Sequence, residues 1–143
     1  MNLVLDASVT MTWLLGDAKA PDQAYASTVL AAMARPETTA TVPVTWGLEV
    51  ANVLARSEAR GFTSEAQSEA FLEMLASMAI EPDSATFTNA LSTTLQLARR
   101  YGLSAYDASY LEVALRAGLP LATLDSELIT AAQKVGVRLL RTE

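Results

Sequence analysis

Four acidic residues stand where a folded chain can bring carboxylates together: Asp6, Glu49, Asp107 and Asp125. Asp6 and Asp125 each follow a short apolar run directly, and the other two each lie in the first turn of a predicted helix. Two carboxylates about 4 Å apart repel by roughly 4 kcal/mol at an effective dielectric constant near 20. Several that converge without an arginine therefore need a divalent cation among them, and all-oxygen ligation suits Mg²⁺ or Mn²⁺.

A cation held in this way has a defined chemistry. It can bind a phosphodiester oxygen, activate a water for attack and stabilise the leaving oxyanion. Ser8 and Thr123 each lie two residues from an aspartate. Their hydroxyls could hold waters or orient the carboxylates, or they could instead make local turn hydrogen bonds.

Each acid also has a purely structural explanation. Asp6 and Asp125 can cap the helices that follow them. Glu49 is favoured in a first helical turn by the helix dipole. Ser104 and Asp107 have the spacing of a capping box, for which Glu or Gln is the preferred partner. Four separate caps are therefore the alternative to one shared site.

Histidine and cysteine are both absent from the chain. This excludes Ser-His-Asp and Cys-His catalysis and paired-histidine cleavage of phosphodiesters. It also removes the usual zinc ligands and any disulfide, which fits a cytoplasmic protein. Carboxylates, hydroxyls, lysines and arginines must carry any enzymatic chemistry, and a carboxylate cation site needs nothing else.

The size and charge of the chain limit its class and its partners. It has 143 residues, of which 51% are hydrophobic and 18% charged, so we expect one globular domain, residues 1–143. The net charge of -6 means that a polyanionic substrate needs local arginines or a bound cation. The helix arginines that could contact phosphates, or be merely solvated, are Arg56, Arg60, Arg99, Arg100 and Arg116.

No targeting or membrane segment is expected. Every apolar run is far shorter than the roughly 18 residues that a membrane span needs. No basic region precedes an apolar stretch at the start of the chain, which argues against a signal peptide.

Short apolar runs alternate with helical patterns along the chain. The predicted strands are residues 3–5, 41–44, 78–82, 121–124 and 137–140. The predicted helices are residues 7–15, 21–35, 46–60, 87–101, 107–117 and 126–135, together with one that follows a cap at Thr63 or Ser64. This order predicts an α/β fold, a three-layer α/β/α sandwich with a central parallel sheet. Because the carboxyl ends of parallel strands share one edge, all four acids are expected there.

Four segments of the chain, taken together, resemble a known family. They are LDAS at 5–8, EVANVL at 49–54, YDASYLE at 106–112 and LATLD at 121–125. They are similar to the four signature segments of PIN domains, most closely those of VapC-type toxins of bacterial and archaeal toxin–antitoxin pairs. The resemblance covers nearly the whole chain, and no member of the acidic set is missing.

The resemblance implies a Mg²⁺- or Mn²⁺-dependent endoribonuclease with four or five strands in its sheet. It gives metal-ligand and catalytic roles to Asp6 and Asp107 first, then to Asp125 and, often through water, to Glu49. It also implies an RNA substrate, a homodimer and a small cognate antitoxin that occupies the site.

Other phosphate-handling classes fit the sequence less well. A phosphatase with an aspartyl nucleophile would have a second Asp two positions after Asp6, where Ser8 stands. A receiver domain would have a lysine near the end of its last strand, but Lys19 and Lys134 lie elsewhere. No glycine-rich phosphate loop follows the first strand. The remaining alternative is a PIN-like module that binds protein or RNA without cutting it.

Overall fold

The computed structural model describes residues 1–141. Its strands are β1 (Asn2–Leu5), β2 (Thr39–Val42), β3 (Ile80–Pro82) and β4 (Leu121–Ala122). Its helices are α1 (Ala7–Thr12), α2 (Ala20–Met33), α3 (Trp46–Ala59), α4 (Glu65–Ala76), α5 (Thr86–Asn89), α6 (Leu95–Tyr101), α7 (Ala105–Ala117) and α8 (Ser126–Val135). A π-helical segment, Ala90–Thr94, joins α5 to α6.

The four strands form one parallel sheet in the order β3-β2-β1-β4. The predicted fold class, an α/β fold with a central parallel sheet flanked by helices, is confirmed. The strand β1 lies inside the sheet, with β2 on one side and β4 on the other. The chain therefore continues from β1 to β2 and β3 on one side of the sheet, and it later adds β4 on the other side of β1. A crevice forms outside the carboxyl ends of strands at such a switch point, and α/β proteins bind ligands there.

The apolar residues of β1 are buried on both faces of the sheet. Leu3 and Leu5 pack with Val29 of α2, whereas Val4 packs with Leu111 of α7, and none of these side chains is exposed. This alternation is the period of two that a strand imposes on its side chains. Because β1 is covered from both sides, the residue after it, Asp6, lies at the middle of the carboxyl edge.

The last predicted strand, residues 137–140, is only partly formed. Its one pairing is a parallel bridge between Leu121 and Leu139. The Leu121 amide donates to the Arg138 carbonyl, and the Leu140 amide donates to the Leu121 carbonyl, both at 2.8 Å. Because β4 has only two residues, the final segment cannot form more backbone hydrogen bonds with it than these.

The helix predicted over residues 87–101 is also interrupted. The π-helical segment separates α5 from α6, and the last turn ends at Gly102, whose φ is +64°. Phe87 and Leu91 formed part of the apolar spacing that predicted this helix, yet each is 88% exposed. Their spacing therefore marks an exposed face of this helical segment.

A cluster of ion pairs joins the end of β3 to α7. Arg116 donates to both carboxylate oxygens of Asp83, at 2.7 and 3.1 Å, and to both of Glu112, at 2.7 and 3.0 Å. Glu112 is 2% exposed, so its charge needs this partner. Arg116 is thereby engaged within the fold, and its suggested role as a phosphate contact has no support.

None of the helices in residues 1–141 is both long enough and apolar enough to span a bilayer.

Candidate active site

Asp6 is the buried centre of the carboxyl edge, with 4% of its surface exposed. It occupies the N-cap position of α1, but its side chain makes no capping hydrogen bond. Its Oδ2 instead accepts hydrogen bonds from the Ser8 hydroxyl and the Thr123 hydroxyl, each at 2.7 Å. Helix capping therefore does not explain Asp6, because its carboxylate accepts a hydrogen bond from Thr123, which follows the neighbouring strand β4.

The two hydroxyls that contact Asp6 are themselves held by the backbone. Ser8 Oγ accepts from the Leu124 amide, and Thr123 Oγ1 accepts from the Asp125 amide, both at 3.1 Å. A hydroxyl has only one hydrogen to donate. Because each hydroxyl oxygen accepts from a backbone amide, its single hydrogen is donated to Asp6. The backbone that follows β4 therefore fixes the orientation of the Asp6 carboxylate.

Asp125 does cap a helix. Its Oδ1 accepts from the amides of Glu127 and Leu128 at the start of α8, at 2.9 and 3.5 Å. After burial, the charge of the same carboxylate contributes to raising the pKa of Asp107 and of Asp6. The capping explanation is therefore correct for Asp125. The same capping hydrogen bonds also hold this residue near the other acids.

Glu49 reaches the edge from the first turn of α3. Its Oε2 accepts from the Tyr110 hydroxyl at 3.2 Å. Its Oε1 is buried and has no hydrogen-bond partner among the described residues. Tyr110 is fully buried and was not singled out from the sequence. The available signal was its position three residues after Asp107, which places the two on one side of α7.

The pKa values show that the four acids share one region. Burial raises the pKa of Asp6, and the charge of Asp125 adds to this. Burial, followed by the charges of Asp6 and Asp107, raises the pKa of Glu49 to about 7. Burial, followed by the charges of Asp125 and Asp6, raises the pKa of Asp107 to about 6. Carboxylates from four separate segments therefore lie within electrostatic reach of one another.

The site offers oxygen ligands and no neutralising side chain. In the described part of the chain the salt bridges are those of Arg116, so no lysine or arginine pairs with the four acids. No three acidic side chains of residues 1–141 are close enough to hold a metal ion as they stand. Mutual repulsion favours such separation. The partnerless Glu49 Oε1 and the all-oxygen donor set nevertheless fit a hard divalent cation.

An apolar groove lies away from these acids. It has a volume of about 560 Å³, lies between the end of α1, α3 and α4, and is lined by residues that include Leu14, Val53 and Phe62. Arg56 and Arg60 both line it, whereas Arg99 and Arg100 lie in the last turn of α6. None of the four acids borders this groove, so we assign the chemistry to the acidic edge by its charge and hydrogen bonding rather than by cavity size.

Comparisons with known proteins agree with this fold. The PIN domain family model matches residues 3–134, a range that contains all four acids. The crystal structure of PAE2754 from Pyrobaculum aerophilum is similar to this chain, with a TM-score of 0.62 and 25% sequence identity. That similarity covers 92% of this chain and 87% of the other. No curated protein matches the chain.

Proposed function

Because the chain belongs to the PIN domain family, we propose that it is a metal-dependent endoribonuclease that acts as the toxin of a type II toxin–antitoxin pair. Family membership supports a nuclease-type function. The observation that carries the proposal is that four acids at one edge of the sheet lie within electrostatic reach of one another and have no basic partner in the described chain. They are Asp6, Glu49, Asp107 and Asp125.

We assign the binding of Mg²⁺ or Mn²⁺ to Asp6, Asp107 and Asp125, with Glu49 completing the set. When bound, the cation would supply charge stabilisation for the phosphodiester that is cut. The protein's part is to hold its carboxylates in place. The hydroxyls of Ser8 and Thr123 do this for Asp6, and those hydrogen bonds do not depend on a ligand.

Glu49 is suited to a second task. Tyr110 holds its Oε2 and no described residue bonds to its Oε1, so we propose that this carboxylate accepts a proton from an attacking water. The buried ring of Tyr110 restricts how far the carboxylate can turn. We therefore propose Tyr110 as a positioning residue that acts through Glu49.

Replacing Thr123 by Val tests the role of the hydroxyl at nearly constant volume. Thr123→Val removes one of the two hydrogen bonds to Asp6 Oδ2 and leaves the carboxylate held by the Ser8 hydroxyl alone. Loss of such an outer contact typically costs 10- to 100-fold, so we expect kcat/KM for RNA cleavage to fall by about this factor. Thr130→Val, on the exposed side of α8, should leave kcat/KM within about twofold of wild type.

The proposed partners follow from the resemblance and from the surface. A cognate antitoxin is proposed from the similarity to VapC-type toxins alone. A homodimer is proposed with one further support: Phe87 and Leu91 lie four residues apart and form an exposed apolar face. The lack of cysteine suits a reducing compartment, and we place the protein in the cytoplasm.

The direct test of the proposed activity is RNA cleavage by the purified chain. Total cellular RNA is incubated with the protein in Mg²⁺ and, separately, in EDTA, and the new RNA ends are mapped. We expect defined cleavage ends with Mg²⁺ and none with EDTA. Bound but intact RNA in both would instead identify a non-catalytic PIN-like module.

A further inference from the structure

The backbone that follows β4 lies outside the ladder of the sheet. The pairing of β4 with β1 ends at Ala122, whose carbonyl accepts from the Asp6 amide at 3.0 Å. Beyond it, the amides of Leu124 and Asp125 donate to side-chain hydroxyls, both at 3.1 Å. Residues 123–125 hold two of the side chains that form the acidic edge, so their position needs support from outside the sheet.

Tyr25 of α2 lies beside this backbone. It lines a cavity of about 420 Å³ together with Thr123, Leu124 and Leu140. Tyr25, Leu124 and Leu140 are also partly buried against the same apolar cluster, on the α2 side of β1. Burial raises the pKa of the Tyr25 hydroxyl, and the backbone of Thr123 acts on it in the opposite direction. The ring and its hydroxyl therefore lie close to the residues that orient Asp6.

The Tyr25 hydroxyl connects α2 to the C-terminal segment, residues 137–140. It donates to the Leu140 carbonyl at 2.8 Å, across 115 positions of the chain. The Leu140 amide donates to the Leu121 carbonyl of β4, also at 2.8 Å. Leu140 is thus bonded on one side to α2 and on the other to β4. The two bonds together hold the C-terminal segment along the outer side of β4.

We propose that Tyr25 is a positioning residue for the acidic edge. By holding the C-terminal segment against β4, it keeps Thr123 where its hydroxyl donates to Asp6 Oδ2 at 2.7 Å. A hydrogen bond of this length weakens steeply when its donor shifts or turns, so a small movement of residues 123–125 releases the carboxylate. The consequence for RNA cleavage rests on the proposed function, whereas the positioning itself is a property of the folded chain without metal or RNA.

Amide hydrogen exchange of the metal-free protein tests the positioning directly. Tyr25→Phe keeps the ring and removes the bond to Leu140, so the amides of Leu124 and Asp125 should exchange about fivefold to tenfold faster than in wild type. The amide of Leu111, in the middle of α7, should exchange at the wild-type rate, which shows that the fold is retained.

Thr28→Val is the matched control for this experiment. Thr28 lies on the same helix at an exposed position, and its hydroxyl donates to the Ala24 carbonyl at 3.0 Å. Its replacement also removes one hydroxyl and one hydrogen bond from α2, but none that reaches the C-terminal segment. The amides of Leu124 and Asp125 should therefore exchange as in wild type.

Cleavage kinetics test whether Tyr25 acts through Thr123. Tyr25→Phe should lower kcat about tenfold and leave KM within about twofold of wild type. In the double variant Tyr25→Phe/Thr123→Val, the bond that Tyr25 maintains is already gone. The double variant should therefore cut RNA no more than about twofold more slowly than Thr123→Val alone. A contribution of Tyr25 to general stability would instead make the two losses multiply.

The outcomes separate this inference from the proposed function. If the wild-type protein cuts no RNA, the nuclease proposal fails, and hydrogen exchange still decides the positioning role. Unchanged exchange of the Leu124 and Asp125 amides in Tyr25→Phe would overturn that role whatever the cleavage rates are. Losses that multiply in the double variant would overturn it too, because Tyr25 would then act independently of Thr123.

Discussion

The substitution Asp6→Asn is expected to lower kcat for RNA cleavage by at least about a thousandfold while the fold is retained. Asn has nearly the same shape, and its one carbonyl oxygen can still accept the hydrogen bonds of Ser8 and Thr123. What is lost is the negative charge at the centre of the acidic edge. Single-turnover cleavage with saturating protein measures this loss without interference from weaker binding.

The same substitution should not destabilise the metal-free protein. Burial raises the pKa of Asp6, so its ionised form is costly in the fold, and the neutral amide removes this cost. We expect the melting temperature of metal-free Asp6→Asn to equal or exceed that of wild type. Asp17→Asn, at an exposed position, is the matched control and should keep full activity. Equal cleavage by Asp6→Asn and Asp17→Asn would contradict the assignment of Asp6.

Mg²⁺ should raise the melting temperature, and it should do so more at high pH than at low pH. At a concentration 100 times its Kd, a ligand that binds only the folded state adds about 2.7 kcal/mol to the free energy of unfolding, which is about 5–10 °C for a domain of this size. We expect a shift of this order near pH 8. Calorimetry in Mg²⁺ and in EDTA, at several pH values, measures it.

The pH dependence follows from Glu49 and Asp107, whose pKa values are about 7 and about 6. In the metal-free fold both carboxyls hold protons more tightly than in the unfolded chain. The stability they contribute is therefore complete below their model values of 4.5 and 3.8 and is lost as the pH rises through 6 and 7. After solvent screening, we expect a loss on the order of 1–2 kcal/mol. Mg²⁺ restores it because it binds the ionised carboxylates.

Glu49→Gln is the control for this pH dependence. It removes the group with the higher pKa, so the metal-free variant should lose less stability between about pH 5 and pH 8 than the wild type does. A pH-independent Mg²⁺ shift, equal in wild type and in Glu49→Gln, would indicate that Mg²⁺ binds elsewhere on this acidic chain.

Much of the fold could be predicted from the sequence, because the central strand is a continuous apolar run. Leu3, Val4 and Leu5 read as a strand buried on both faces, and the structure buries all three completely. Spacing alone does not show which side of a helix is buried. The pattern that includes Phe87 and Leu91 has helical periodicity, but periodicity does not show whether a face packs against the core, and here that face is exposed.

The candidate site could be predicted only in outline. Strand order places Asp6 and Asp125 at one edge, so their proximity follows from the sequence pattern. Whether Asp6 capped α1 could not be decided, since the deciding contact comes from Thr123, 117 positions along the chain. The bond from Tyr110 to Glu49 spans 61 positions and depends on how α3 lies against α7, which no local pattern encodes.

The most direct measurement is anomalous diffraction from crystals of the wild-type protein grown with millimolar Mn²⁺, with Asp6→Asn as comparison. A strong Mn²⁺ peak between the carboxylates of Asp6, Asp107 and Asp125, absent from the variant, is the predicted result. A map with no Mn²⁺ at this edge of the sheet, or with the ion bound only at other surface acids, would contradict it.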